Sequence, residues 1–299
     1  MADSLIREIN STQLNEVFVN GVREGNFQQP FTAFLLDTDA LEMTDELYMK
    51  VKGLAPFGDF VQAEGFQSDP SEASVASLFD KTYEMAMFTR SFVIGDVERD
   101  TANYTKETEK LARTASKSLN KWLANLMAKG FDTTTVPDQA GGSAEYWFNG
   151  THSYRSGGTG SNYTTSSLSL ATLATADALN MTAQADAGDI VGEASSHLLV
   201  GAGNRQTASS LIDVRVGADM ALNAFGNGAI KVVCEPSFDL VDSDNWFLST
   251  RIHGLKAYMK GLPKIRVIDH GTTIEVIGIY YVMAGPSYWQ GCVGNKYTP

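Results

Sequence analysis

The stretch that decides the fold runs from Asp100 to Phe131 and reads DTANYTKETEKLARTASKSLNKWLANLMAKGF. Asp100 and Thr101 are residue types that cap helix N-termini. The acids Glu107 and Glu109 follow in the early turns, where they suit the positive end of the helix dipole. A helix of about 25 residues would be about 40 Å long, more than a compact domain of this size usually needs. The pattern therefore predicts one long helix around which the rest of the chain is arranged.

The buried face of this helix is predicted to be a single apolar stripe. Apolar side chains recur every three or four residues, as expected for one face of a helix. The stripe consists of Leu111, Ala115, Leu119, Trp122 and Leu126, and it is widened by Ala112, Leu123 and Met127. The lysines, Lys121 among them, are expected on the solvated side, and Gly130 is expected to end the helix.

Length and charge limit the class of protein. A chain of 299 residues can form about two domains with a large core. Its 23 basic and 35 acidic residues give a net charge of −12, which repels phosphates and argues against direct recognition of nucleic acid. The two cysteines, Cys234 and Cys292, form no CxxC motif and suit a reducing compartment. No apolar run is long enough to span a membrane and no export signal is visible, so we expect a soluble protein.

The first third of the chain carries aromatic residues that have no periodic partners. A short helix is predicted from Thr12 to Glu24, ended by Gly25, and residues 24–34 are predicted to be a loop. Residues 47–66 are punctuated by glycine and proline, and a strand is predicted from Thr82 to Ile94. We expect a hairpin that projects from the body, since apolar side chains with no local core must be buried elsewhere. The candidate inter-subunit contacts are Phe27, Phe31, Phe57, Phe60 and Phe66. Burial on the chain's own domain is an equally good interpretation.

The region after the long helix is a mixture of helix and strand, so the predicted class is α+β. A second helix is predicted at 167–181, with Leu170, Leu173, Ala174, Ala178 and Met181 on its buried face. Strands are predicted at 197–200, 211–216, 230–234 and 272–283, the last in the centre of a sheet. The Gly/Ser/Thr-rich residues 156–167 are predicted to be a domain boundary or a mobile loop.

No catalytic motif of the common classes is present, so the sequence predicts no catalytic, cofactor-binding or metal-binding residues. GxSxG, GxxxxGK[ST], GxGxxG and HExxH are all missing. Ser118 and Lys121 match SxxK, but they fall within the long helix, where a solvated lysine is the simpler interpretation. The four histidines are dispersed along the chain. Trp147 and Trp246 are predicted to be core or interface anchors.

The order of several short motifs is informative. They are FDKTYE (79–84), FVIGD (92–96), WFNGTH (147–152), SHLLV (196–200) and NWFL (245–248), followed by the closing strand pattern 274–281 and Gly291. With the long helix between the second and third motifs, this order resembles tailed-phage major capsid proteins of the Hong Kong 97 type. Within them the chain is most similar to the Mu-type major head subunit.

The resemblance implies a division of the chain and a function. Residues 1–45 would be an N-terminal arm, 46–95 an extended loop lying over a neighbour, 96–159 with 269–299 a peripheral domain containing the spine helix, and 160–268 an axial domain. The chain would assemble in the host cytoplasm into pentamers and hexamers of an icosahedral virion shell. That shell would enclose double-stranded DNA without sequence-specific binding.

The resemblance also implies partners and leaves alternatives open. Partners would be further copies of the chain, with portal and possibly decoration proteins and no membrane. Because the chain starts at Met1, a separate scaffold protein is expected rather than a removed propeptide. The alternatives are an encapsulin-like compartment shell and an enzyme with an unrecognised site.

Overall fold

The computed structural model describes residues 11–54, 77–95, 104–136, 145–154, 158–184, 190–213, 225 and 229–296. The α-helices are α1 (Ser11–Gln28), α2 (Pro30–Asp37), α3 (Tyr104–Ala128), α4 (Leu170–Met181) and α5 (Arg205–Asp213). The strands are β1 (Leu41–Thr44), β2 (Tyr48–Leu54), β3 (Ser77–Glu84), β4 (Ala86–Gly95), β5 (Thr135–Val136), β6 (Glu145–Tyr146), β7 (His152–Ser153), β8 (Thr159–Gly160), β9 (Tyr163–Thr164), β10 (His197–Val200), β11 (Lys231–Cys234), β12 (Trp246–Ser249), β13 (Leu255–Lys260), β14 (Lys264–Asp269), β15 (Thr273–Pro286) and β16 (Cys292–Asn295). The predicted mixture of helix and sheet is confirmed.

The chain divides into two compact units. The first takes residues 1–49, 83–125 and 256–284, and the second takes 50–82, 126–255 and 285–299. The boundaries of these units differ from those of the predicted arm, loop, peripheral domain and axial domain. The division of the chain into those four parts stays a prediction.

The first unit is built on a five-stranded sheet with β15 at its centre. The strand order is β1-β13-β15-β14, and β4 also pairs with β15. β15 is antiparallel to both β14 and β4, whereas β1 is parallel to β13. Alternate residues of β15 are buried, among them Ile274, Val276 and Tyr280. The prediction of a central strand at 272–283 is confirmed.

Helix α3 confirms the predicted long helix, but its buried face is rotated from the predicted stripe. Leu111, Leu119 and Leu123 are buried, while Trp122 and Leu126 are only half-buried. The apolar band in the sequence of α3 is wider than the surface that the helix buries. Tertiary packing buries the side of the band that includes Leu123.

Helices α1 and α2 correct the prediction of a loop at 24–34. α1 continues through Gly25 to Gln28, because Gly25 lies so close to Ser116 of α3 that a Cβ atom would overlap that side chain. α2 then begins at Pro30, a residue suited to the first helical turn. Leu14, Phe18 and Val22 form the buried side of α1.

The second unit is built on a five-stranded sheet in the order β11-β10-β12-β16-β9. β10 is parallel to β11 and antiparallel to β12, and β16 is antiparallel to β12 and parallel to β9. The predicted strands at 197–200 and 230–234 are confirmed as β10 and β11. All four residues of β10 and of β12 are buried, so this sheet is covered on both faces.

Each face of this sheet has its own core. Residues of α4 and α5 pack with Leu198, Val200 and Leu248, and Trp246 belongs to the same cluster. The other core is aromatic. Its ring contacts join Phe131, Trp147, Phe148, Phe238 and Phe247. The prediction that Trp147 and Trp246 are core anchors is confirmed, since both are fully buried.

Three local predictions in this unit are wrong. Of the strand predicted at 211–216, residues 211–213 belong instead to helix α5, in which Ala208 and Ile212 are buried one turn apart, and residues 214–216 lie outside the described residues. The buried residues of α4 are Leu173, Ala176 and Asn180, while Leu170 and Met181 are exposed. Residues 158–167 contain the paired strands β8 and β9 rather than a mobile loop.

Candidate assembly surface

The five phenylalanines predicted to contact another subunit have different positions. Phe27, on the last turn of α1, is 62% exposed. Phe31 is 0% exposed and lies 5.6 Å, centroid to centroid, from Phe34. Of the two interpretations of these aromatics, burial on the chain's own domain therefore applies to Phe31. Phe57, Phe60 and Phe66 lie outside the described residues.

Phe31 is buried because α3 holds the start of α2. The side-chain Oδ1 atom of Asn120 accepts hydrogen bonds from the backbone N–H groups of Phe31 and Thr32, each at 3.0 Å. It also accepts one from the Thr32 hydroxyl at 3.2 Å. The residue preceding α2, Gln29, makes no side-chain cap. Asn120 thus supplies an acceptor for two first-turn N–H groups of a helix that lies 88 residues away in the sequence.

Phe27 borders an apolar groove of about 550 Å³. Met43 and Leu262, 55% and 61% exposed, lie on the same groove. Arg23 and Glu42 are its charged members. The full lining is Val19, Asn20, Val22, Arg23, Asn26, Phe27, Leu36, Leu41, Glu42, Met43, Met259, Leu262 and Pro263. We name this surface the Phe27 groove. A patch of exposed apolar side chains rimmed by polar groups is typical of protein–protein contact sites.

The sequence identified Phe27 but not the groove. Residues 19–43 and 259–263 meet there through tertiary packing, which includes the parallel pairing of β1 with β13 that places Met43 opposite Met259. The only sequence signal was the excess of apolar side chains at 27, 43 and 262. That signal does not show that the three side chains are neighbours.

Burial shifts the pKa values of several described groups, among them Lys81 and Cys292. Burial lowers the pKa of Lys81 to about 8, and the Lys81 ammonium donates hydrogen bonds to the Thr135 carbonyl and hydroxyl. Burial also raises the pKa of the Cys292 thiol. An active site usually combines such desolvation with a charged partner in a cleft. Ser118 and Lys121 are both exposed on α3.

Nowhere in the described residues do three His, Cys, Asp or Glu side chains come together as a metal site requires. No described helix has the length and apolar content needed to cross a bilayer.

Solved structures with a similar fold come from capsids and related particles. The virus-like particle from Pyrococcus furiosus matches with a TM-score of 0.54 and 10% identity, over 96% of this chain and 100% of that one. The capsid of cyanophage P-SCSP1u matches with a TM-score of 0.55 and 10% identity, over 88% of each chain. The capsid of Myoviridae phage XM1 matches with a TM-score of 0.51 and 10% identity, over 89% of this chain and 92% of that one. At these identities the likeness defines the fold, which is that of capsid proteins.

The family itself is shown by sequence. A family model described as phage capsid protein matches residues 80–295. The chain therefore belongs to the phage capsid protein family. No curated protein sequence matches it.

Proposed function

We propose that the chain is the major shell protein of a tailed-phage head, with the Hong Kong 97-like fold and most similar to the Mu-type head subunit. Copies assemble into pentamers and hexamers that close into an icosahedral shell around double-stranded DNA. The observation that carries the proposal is the family match over residues 80–295. The capsid-type fold and the net charge of −12, which suits a wall that encloses DNA without binding it tightly, support it.

The proposed parts of the subunit follow the ranges predicted from the sequence. Residues 1–45 act as the arm, 46–95 as the extended loop, 96–159 with 269–299 as the peripheral domain, and 160–268 as the axial domain. The protein has no enzymatic role. Scaffold, portal and possibly decoration proteins are its proposed partners, and the virion is its final location after assembly in the host cytoplasm.

The Phe27 groove is the contact proposed for a second copy of this chain. A shell subunit must bind several neighbours at once, so individual contacts can be weak while the whole is stable. An apolar contact needs little geometric specificity, so three exposed apolar side chains around one groove supply such a weak contact. Closed symmetry then prevents these contacts from growing into open filaments.

Electron microscopy of the chain co-expressed with its neighbouring genes tests the proposal. We expect rings and closed shells, formed more readily at moderate salt than at very low salt because salt screens repulsion between acidic subunits. Monomers or dimers alone at every salt concentration would contradict it.

Two variants localise the contact. Phe27→Ser should reduce shell yield while the subunit keeps its circular dichroism spectrum. Lys121→Ala, on the exposed face of α3, is the control and should assemble like the wild type. If both variants assembled equally well, the Phe27 groove would not be part of the interface, and the proposed shell function would still stand.

A compartment shell that encloses protein is the second candidate. It is favoured by the likeness to the virus-like particle from Pyrococcus furiosus, which spans the whole of that chain. The contents of purified particles separate the two functions. Nuclease-protected DNA supports a phage head, and a protein cargo without DNA supports a compartment.

A further inference from the structure

The second unit contains a buried polar cluster of Glu145, His152 and Asn162. Asn162 is its centre and is 2% exposed. Its Nδ2 atom faces three backbone carbonyl oxygens, those of Trp147 at 2.8 Å, Trp289 at 3.0 Å and Cys292 at 3.2 Å. Carbonyl oxygens only accept, so the atom that faces them must be the amide NH2 group, whose two hydrogens serve the three oxygens with one bond bifurcated, and the orientation of the carboxamide is determined. Oδ1 must be the atom on the other side.

The orientation of Asn162 determines the state of His152. Oδ1 of Asn162 lies 2.9 Å from His152 Nε2 and also accepts the Asn149 N–H. Because a carboxamide oxygen only accepts, Nε2 must carry a hydrogen. The other ring nitrogen, Nδ1, lies 2.7 Å from Oε2 of Glu145. A bare Nδ1 lone pair against an ionised carboxylate at that distance would be repulsive.

We infer that Glu145 and His152 hold one proton between Nδ1 and Oε2, and that this proton keeps Nε2 of His152 as a donor to Asn162, the residue that joins three separate segments of the second unit. The segments are 145–152, 159–163 and 289–294. Asn162 joins them through the hydrogen bonds above, and through its backbone to Asn149 and Gly294. The imidazole also stacks on Trp289 at 4.6 Å with an interplanar angle of 4°.

The surroundings of the cluster favour a neutral pair. His152 is fully buried and Glu145 is 19% exposed. Burial lowers the pKa of His152, and the contacts with Glu145 and Asn162 act against that shift. That balance disfavours an isolated imidazolium, and it is the hydrogen-bond geometry, with oxygens facing both ring nitrogens, that requires a proton shared by the pair. Tyr154, which directly follows β7, packs on Trp289, and burial raises the pKa of the adjacent Cys292 thiol, so that thiol is uncharged near neutral pH. Arg155 lies outside the described residues.

The direction of the pH effect follows from counting protons. In the unfolded chain above about pH 6.5 the imidazole is neutral and the carboxylate is ionised, so the pair holds no extra proton. The folded pair holds one. Folded chains thus bind one proton more, and stability must fall as pH rises above that value.

Glu145→Gln is the decisive variant. The glutamine amide can donate to Nδ1 where the proton lay, and its oxygen can accept the Ser153 N–H as Oε1 does. We expect this variant to fold and to lose the pH dependence. Between pH 6.5 and 9 the unfolding constant of the wild type should rise about tenfold per pH unit relative to that of the variant. Denaturant unfolding followed by circular dichroism at several pH values measures this ratio.

Glu275→Gln is the matched control. Glu275 Oε2 lies 3.4 Å from His270 Nε2 in an exposed pair, and its removal should leave the ratio constant over the same pH range. A constant ratio for Glu145→Gln as well would overturn the inference.

A measurement on the wild type covers the case in which Glu145→Gln does not fold. The chain has four histidines, so ¹⁵N-histidine labelling gives a small set of ring signals, and His152→Gln assigns one of them. We expect the His152 signals to stay unchanged from pH 5.5 to 8.5. Titration of His152 with a midpoint near 6.5 would refute the shared proton.

Discussion

At the scale of single residues, two buried asparagines make the hydrogen bonds to backbone groups that backbone pairing makes elsewhere in the chain. Asn120 caps α2 from the side of α3, and Asn162 joins three segments of the second unit. Both are almost fully buried, and a buried carboxamide is stable only when its hydrogen bonds are made. Each position therefore tolerates few substitutions, although neither belongs to a recognised motif.

Asn120→Ala should lower the free energy of unfolding by about 1–3 kcal/mol, because two buried N–H groups of α2 lose their acceptor. Urea unfolding measures the change. Thr114→Ala, an exposed position on the same helix, is the control and should change the unfolding free energy by less than about 0.5 kcal/mol. Equal effects of the two substitutions would show that the cap contributes nothing.

At the scale of elements, the long helix was predicted correctly and its buried face was not. The predicted stripe placed Leu126 on the buried face and Leu123 at its margin. The fold buries Leu123 completely and leaves Leu126 half-buried. Trp122, also half-buried, meets Phe88 edge-on at 5.4 Å.

Leu123→Ala should therefore cost about 2–5 kcal/mol of unfolding free energy, the range for a fully buried leucine. Leu126→Ala should cost clearly less, and so should Trp122→Ala relative to a fully buried tryptophan. Ser118→Ala and Lys121→Ala should be nearly silent. The five variants can be compared by thermal unfolding. A larger loss for Leu126→Ala than for Leu123→Ala would mean that the helix faces are assigned wrongly.

Helix α4 shows why such faces are hard to predict. Its sequence is rich in alanine and leucine on all sides, so several faces look equally apolar. The buried side is the one with Asn180, whose amide donates to the Ser195 hydroxyl and the Leu248 carbonyl. A polar residue thus marks the core side, because its partners lie on a strand and a loop distant in sequence.

At the scale of the whole molecule, the proposed assembly predicts a change in backbone protection. Residues 46–85 should exchange amide hydrogens rapidly in the free subunit and slowly in the shell, since their proposed partner is a neighbouring copy, whereas residues 86–90 of β4 pair with β15 and should be protected in both states. Part of this range, including Phe57, Phe60 and Phe66, lies outside the described residues. Hydrogen exchange on dissociated and assembled protein measures the difference. The same protection in both states would rule out ordering by neighbours.

The amino-acid sequence alone determined the α+β class, the long helix, the strands at 197–200 and 230–234 and the central strand at 272–283. These features follow from local periodicity and runs of apolar residues, which each segment carries by itself. Only the tertiary structure decided that Phe31 is buried, that 211–213 is helical, and that Asn162, Glu145 and His152 meet. These outcomes depend on partners tens of residues away, whose position is set by how the elements pack rather than by any local pattern.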